Sequence, residues 1–431
     1  MELVNANILL FLDYPDIINA CHALPCFFRV GNKPYFWALK AERDFGIPNN
    51  ELLLIPCSNN KKRYEYIYNI EDRDEGLGEA TRLGILSLVK YYLKQGAYLH
   101  ADNEAVLRLA AGRGHLNIVK YLISLGADLY VEDHYALRSA AMNGHLDVVK
   151  YLVEQGANIH AMIEEPLIFA AMNGHLDVVK YLVERGANFH VRDEAALSFA
   201  AGNGQLDVVK YLVDGVNKGR ASHVFLVEQG ADLHAKNEEA LRRGAEEGHL
   251  DVVKYLVKQG ADFHAWDEDA LGSAADNGHL DVVKYLVEQG ADPHVKDEFV
   301  LRLAASNGHL DVVKYLVELG ADFHVRNEQA LKWTAENGHL DVVKYLVERG
   351  ADLHAKNEAV LRHSARNGRL NVVKYLVEQG ANIHVKNEQA LRWAAGGYLD
   401  VVKYLIEQGA DRKAILYNFV IYNVDIVKYL K

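Results

Sequence analysis

The chain has 431 residues, half of them hydrophobic and a quarter charged, a globular composition that excludes a disordered chain. Lys and Arg number 47 against 59 Asp and Glu, a formal charge of −12, which argues against nucleic-acid phosphates or anionic lipid as partners. The three cysteines, Cys21, Cys26 and Cys57, exclude a disulfide scaffold, and no apolar run approaches the about 20 residues of a membrane-spanning helix.

In chain order, Ile8-Leu9-Leu10-Phe11-Leu12-Asp13 is followed by Tyr14-Pro15-Asp16-Ile17-Ile18-Asn19-Ala20-Cys21, then Leu24-Pro25-Cys26-Phe27-Phe28 and Tyr35-Phe36-Trp37-Ala38-Leu39. Proline and charge punctuate three or four short amphipathic helices, too few residues for a sizeable core of their own. The order resembles an F-box over residues 1–46, although the usual Leu-Pro opening is missing and Pro25 stands where a valine is commoner. The resemblance implies that Ile8, Leu9, Phe11, Leu12, Pro15, Asp16 and Ile17 dock a Skp-family adaptor of a cullin–RING ubiquitin ligase. Residues 47–72, rich in Asn and Tyr, read as a connecting segment.

From residue 73 to about 415 a repeat dominates. Gly-His-Leu-Asp-Val-Val-Lys-Tyr-Leu-Val or a close variant starts at Gly114, Gly144, Gly174, Gly204, Gly248, Gly278, Gly308, Gly338 and Gly368. Each step is 30 residues except 204 to 248, which carries a 14-residue insertion at about 214–227. With degenerate copies at Gly84 and Gly397 there are eleven repeats, and residues 416–431 form a compressed half-repeat that would cap the array. In the copy at 327–356, Asn327 reads as a helix N-cap, and Leu331, Thr334 and Ala335 form the stripe of a first helix that Gly338 ends. Leu340, Val342, Val343, Leu346 and Val347 form the wider face of a second helix closed by Gly350. Such pairs bury their stripes only against neighbouring copies, so the expected fold is an all-α solenoid. The motif Gly-His-x-x-Val-Val-x-x-Leu-x-x-x-Gly-Ala-Asp resembles the ankyrin repeat, shortened by three residues and without its Thr-Pro-Leu-His opening, which implies a stunted finger. The short, near-identical copies resemble ankyrin arrays of giant mimivirus-like DNA viruses.

Twenty histidines raise the question of metal. His100, His160, His190, His234, His264, His294, His324, His354 and His384 share one column, and His115, His145, His175, His249, His279, His309 and His339 another. Neighbouring copies lie roughly 8–10 Å apart, whereas zinc ligands converge to about 2.0–2.1 Å. Hydrogen bonds from these rings to loop backbone are therefore expected, and no metal. Cys21, His22, Cys26 and Cys57 lack ligand spacing and read as small hydrophobes. Asp44-Phe45-Gly46 stands without the other kinase motifs, and no nucleotide, hydrolase or metalloprotease signature occurs. The expectation is no catalysis and no cofactor.

The first-helix face opposite the Leu-Ala-Ala stripe is the candidate target surface. Its basic column holds Arg108, Arg138, Arg242, Arg302, Lys332, Arg362 and Arg392. The next column varies most and includes Leu109, Phe169, Phe199, Arg243, Leu303, Trp333, His363 and Trp393. A recurring glutamate (Glu104, Glu194, Glu268, Glu298, Glu328, Glu358, Glu388) leaves two readings open, an acidic partner or a solvated ion-pair face. Two functions follow: a ubiquitin-ligase substrate receptor linking the adaptor to a target protein, or a plain ankyrin scaffold whose N-terminal helices cap the stack. Either is expected to be a soluble intracellular monomer, cytoplasmic or nuclear, in a host cell if the chain is viral. Within the insertion, either Leu212-Val213 or Leu226-Val227 can complete the interrupted helix, leaving 214–222 as an exposed loop.

Overall fold

A computed structural model describes residues 6, 9–23, 32–215, 230–416 and 424–430. The described residues are helices joined by turns, with no strand among them. They divide into two compact units, the first ending at Ala196 and the second beginning at Leu197.

In the first unit, helices Tyr14–Ala23, Pro34–Phe45, Asn49–Leu52 and Asn60–Tyr68 surround an aromatic core. Pro34 starts its helix where no amide partner is needed, and Gly46, at φ +70°, ends it in the left-handed conformation. Phe36, Trp37, Phe45 and Tyr64 are buried, with the Trp37 and Tyr64 rings 5.2 Å apart and those of Phe45 and Tyr64 5.1 Å apart. Residues 47–72 are more than a tether, because Ile47, Leu52, Ile55, Tyr64 and Ile67 all enter this core. The same helices sit on the first repeat: the Phe45 ring meets Tyr91 edge-on at 5.4 Å, and Ser87 Oγ donates to Glu51 at 2.6 Å.

Leu9 and Ile17 are fully buried in this N-terminal core. That corrects their assignment as adaptor contacts, since a buried side chain packs its own fold. Phe11 (75% exposed), Pro15 and Asp16 lie at the surface, Leu12 is half-buried, and Ile8 falls outside the described residues.

Each repeat is a helix pair. Leu331, Thr334 and Ala335 on the first helix and Val342, Val343 and Leu346 on the second are fully buried, whereas Leu340 and Val347 are half-buried. Every such valine or leucine adds about 1.5–3 kcal/mol, and Thr334 satisfies its hydroxyl by donating to backbone carbonyl oxygen. Between second helices runs a ladder that periodicity does not reveal. The ammonium of one repeat lies over the tyrosine ring of the next, as in Lys120 over Tyr151 (5.4 Å) and Lys314 over Tyr345 (5.7 Å). Each contact is worth about 0.5–1 kcal/mol. The helix Val424–Leu430 joins the ladder through Lys403 over Tyr429 (5.5 Å) and buries Ile426.

The insertion leaves this register intact within the second unit. Leu212 is buried at the end of Leu206–Asp214, and the Ala231 amide donates to its carbonyl at 2.9 Å, as Ala261 does to Leu256 at 3.0 Å. Leu212 therefore completes the repeat, and Tyr255 of the following repeat donates to Asp214 at 2.7 Å. Leu226, Val227 and the proposed loop lie outside the described residues, Asp214 and Gly215 excepted.

Candidate interaction surface

The edge of each repeat is built from an unusual backbone. Where Asn327 was expected to cap a helix, Arg326, Asn327 and Glu328 have φ of 51°, 58° and 60°, one left-handed turn that precedes the first helix. Nine other repeats have the same triplet, from Asp102, Asn103 and Glu104 to Lys386, Asn387 and Glu388. Side chains other than glycine pay about 1–2 kcal/mol per residue in this conformation. Something must therefore hold each turn.

A histidine and a buried glutamate do so. In nine repeats the first histidine column places Nδ1 against the carboxylate four residues on, at 2.6 Å for His324 and Glu328 and 2.7 Å for His354 and Glu358. The nine glutamates are only 3–7% exposed. Several also accept an amide from the next repeat, as Glu298 does from Asp322 at 3.2 Å. The expectation of backbone partners is thus corrected for this column, and the recurring glutamates are not a solvated face. In one repeat Tyr130 and His134 take the two positions, and His134 Nδ1 accepts the Asn158 amide at 3.4 Å. Six of the seven rings of the second column do bond backbone, reaching a carbonyl of the preceding repeat, as His279 does at Glu246 (2.9 Å) and His309 at Asp276 (2.8 Å).

The carboxylate of Glu238 holds His234 above the ordinary histidine value of 6.5, first by hydrogen bonding and then by charge. A raised folded-state pKa adds stability that is full below the unfolded value and is lost as pH rises through the folded one. The melting advantage of the unmutated chain over His234→Gln is therefore expected to shrink as pH rises past 6.5. A difference independent of pH, measured by circular dichroism, would show that the pair is not ionic.

The basic column mostly braces the same turns. Arg302 donates to the carbonyls of Lys296 and Asp297 and to Gln329 Oε1 at 3.0–3.1 Å, and Arg362 makes the equivalent bonds to Lys356, Asn357 and Gln389 at 2.9–3.0 Å. Arg392 reaches the Lys386 carbonyl at 3.0 Å. Arg108 and Arg138 reach the carbonyls of Asp102 and Glu132 and also pair with Glu132 and Glu165. Arg302 and Arg362 are 3% and 6% exposed, which corrects their placement on an open surface; burial pushes both guanidinium pKa values down. Arg242 differs, pairing with Glu239 and Glu246.

The variable column is half-buried throughout. Leu109, Phe169 and Leu303 present only part of their surface. Arg243 lies over Phe199 at 4.9 Å, Arg302 over Trp333 at 5.6 Å, and Trp393 carries Arg362 at 5.6 Å and meets His363 edge-on at 5.5 Å. Lys332 has no arginine-type brace on its turn and instead lines a groove of about 350 Å³ with Arg326 and Lys356. No cluster of three or more histidines, cysteines or carboxylates among the described residues could hold a metal ion. No helix among them is long and apolar enough to cross a membrane.

The family model for ankyrin repeats, described as three copies, matches residues 77–163, 163–222, 221–297, 272–357 and 353–415. The chain belongs to the ankyrin-repeat family. No curated protein matches it. Ankyrin repeats are generally non-catalytic scaffolds for protein partners, and this array departs from the usual 33-residue ankyrin repeat in its turns. Its short repeats replace the projecting finger with a left-handed turn locked by histidine and glutamate. The turn edge is exposed, and the variable side chains beside it are half-buried.

Proposed function

We propose that this ankyrin chain is a non-catalytic adaptor that holds a target protein along the turn edge and first-helix faces of its repeats. The supporting observation is where variation lies. The constant residues of each repeat are occupied in packing and turn locking, while Leu109, Phe169, Phe199, Trp333, His363 and Trp393 differ on one face and keep part of their surface open. Half-exposed tryptophan and phenylalanine beside arginine suit a protein interface. The test replaces Trp333 and Trp393 with a photo-activated cross-linking residue in cells. One protein captured at both positions, and lost with Arg302→Ala in the same chain, supports the reading; capture that is the same from a ladder position such as Lys284 sinks it.

A second reading gives the N-terminal helices a partner of their own, a Skp-family adaptor of a cullin–RING ligase. Its support is apolar exposure at one end of the first unit: Phe11 at 75%, Tyr35 at 50% and Leu39 at 47%. With Leu9 and Ile17 in the core, docking would run through Phe11, Pro15 and Asp16. A pulldown decides it. Adaptor retained by the unmutated chain and lost with Phe11→Glu supports a ligase receptor, and no retention leaves these helices as a cap on the first repeat.

A further inference from the structure

We infer that the turn edge of residues 325–394 binds a short carboxylate-rich segment of the target protein, an assignment that rests on the scaffold reading above. Charge along this edge changes within the second unit. In the turn before it, Asp267 pairs with Lys296 at 2.8 Å, and Asp297 pairs with Arg326 at 2.9 Å. The following turns carry Asn327, Asn357 and Asn387 where those aspartates stood. Lys356 and Lys386 are exposed and are left without a carboxylate in that position.

The start of the first helix changes in the same way. Glu239 and Asp269 give way to Gln329, Ala359 and Gln389. Arg302 and Arg362 therefore donate to amide oxygens and carbonyls, neutral acceptors that leave their positive charge in place. Glu328, Glu358 and Glu388 are each buried against a histidine and present no carboxylate to the groove, and of the three it is Glu358 that also faces the Arg362 charge. Glu336 faces His363 at 3.5 Å, and Asp322 and Asp352 in the preceding turns accept histidine amides.

Lys332 gives this edge a receptacle. As the one lysine in the bracing column, it leaves the groove of about 350 Å³ between Val325–Asn337 and Ala355–Arg366. Arg326, Lys332 and Lys356 line it with Asn327 and Gln329 over an apolar floor at Val360, and no carboxylate is among its lining residues. With Arg326 already paired to Asp297, the two lysines and two amides fit one carboxylate. A short acidic segment meets only this edge, whereas a long nucleic acid would also meet a chain whose formal charge is −12. The charge pattern thus favours an acidic peptide.

Fluorescence anisotropy of a labelled oligoglutamate peptide with the full chain tests this. Binding is expected to weaken about tenfold or more between low and physiological salt, because the contacts are exposed charges. Lys332→Gln with Lys356→Gln and Lys386→Gln should weaken it about tenfold, while Lys254→Gln with Lys284→Gln and Lys314→Gln, the same charge change on the ladder, should leave it within about twofold. Gln329→Glu with Asn357→Asp, which restores carboxylates without removing a lysine, should weaken it as well. The proposal is overturned if the unmutated chain does not bind the peptide, if both lysine triples lose binding equally, or if single-stranded RNA of the same length binds tighter. Cross-linking from Trp333 and Trp393 is independent of the peptide, so capture that survives the Lys332 triple variant overturns the acidic segment and leaves the scaffold standing.

Discussion

His354→Ala is expected to destabilise the second unit by about 1–3 kcal/mol, the range for leaving a buried acceptor without its hydrogen-bond partner. Glu358 is 4% exposed, and its Oε2 already lacks a hydrogen-bond partner among the described residues. Without the imidazole, Oε1 loses its histidine partner as well. Lys356, Asn357 and Glu358, at φ 51°, 57° and 57°, then lose the contact that holds their left-handed turn. Adding Glu358→Ala should recover part of the loss, since no buried acceptor is then left unpaired. A closer replacement exists within the chain, where Tyr130 and His134 hold the same turn. His354→Tyr with Glu358→His is accordingly expected to cost less than His354→Ala, because it reproduces the ring contact of Tyr130 with His134. Denaturant midpoints of the three variants decide the matter, and a harmless His354→Ala would mean that the turn is held by packing alone.

Gly278→Ala is expected to lower stability by about 2–5 kcal/mol, combining about 1–2 from the backbone with about 1–3 from overpacking. Gly278 has φ +78°, and a methyl group there would stand 2.3 Å from His309 Nδ1. That ring cannot retreat without releasing the Asp276 carbonyl, which it reaches at 2.8 Å. Two other glycines separate the contributions. At Gly338, φ +94°, the methyl would meet the flexible Arg369 side chain at 2.9 Å, and at Gly350, φ +100°, it would meet nothing within 4 Å. Losses should therefore rank Gly278, then Gly338, then Gly350, with only the backbone part at the last. Gly278→Ala in a His309→Ser background should also fall to the backbone part. Equal losses at all three glycines in thermal melts would show that the overlying ring contributes nothing.

The helix pairs and their core were legible because a period of 3.6 writes burial directly into sequence, and Val342, Val343 and Leu346 are buried as that period requires. The turn glycines were legible too, since positive φ favours the residue without a side chain. The left-handed triplet was not. Arg326, Asn327 and Glu328 include no glycine, and an asparagine before a helix suggests a cap. A signal was present in the histidine four residues before each glutamate and the recurring Asn or Asp between them, residues that tolerate left-handed backbone. The N-terminal helices show the same limit: apolar spacing marks Leu9, Phe11 and Ile17 alike, but the fold buries the first and third and exposes Phe11.

The sequence by itself determined the local terms of this protein: which residues turn, which stripes seek burial and how often the pattern returns. Only the tertiary structure decided which charges are buried, braced or left open. Arg302 is turned inward by carbonyls at 296 and 297 and by Gln329 of the next repeat, while Lys332, in the same column, stays beside a groove. The reason is physical. A charge is settled by its solvent exposure and the partners within hydrogen-bond reach, and here those partners come from separate repeats that meet only when the helices stack.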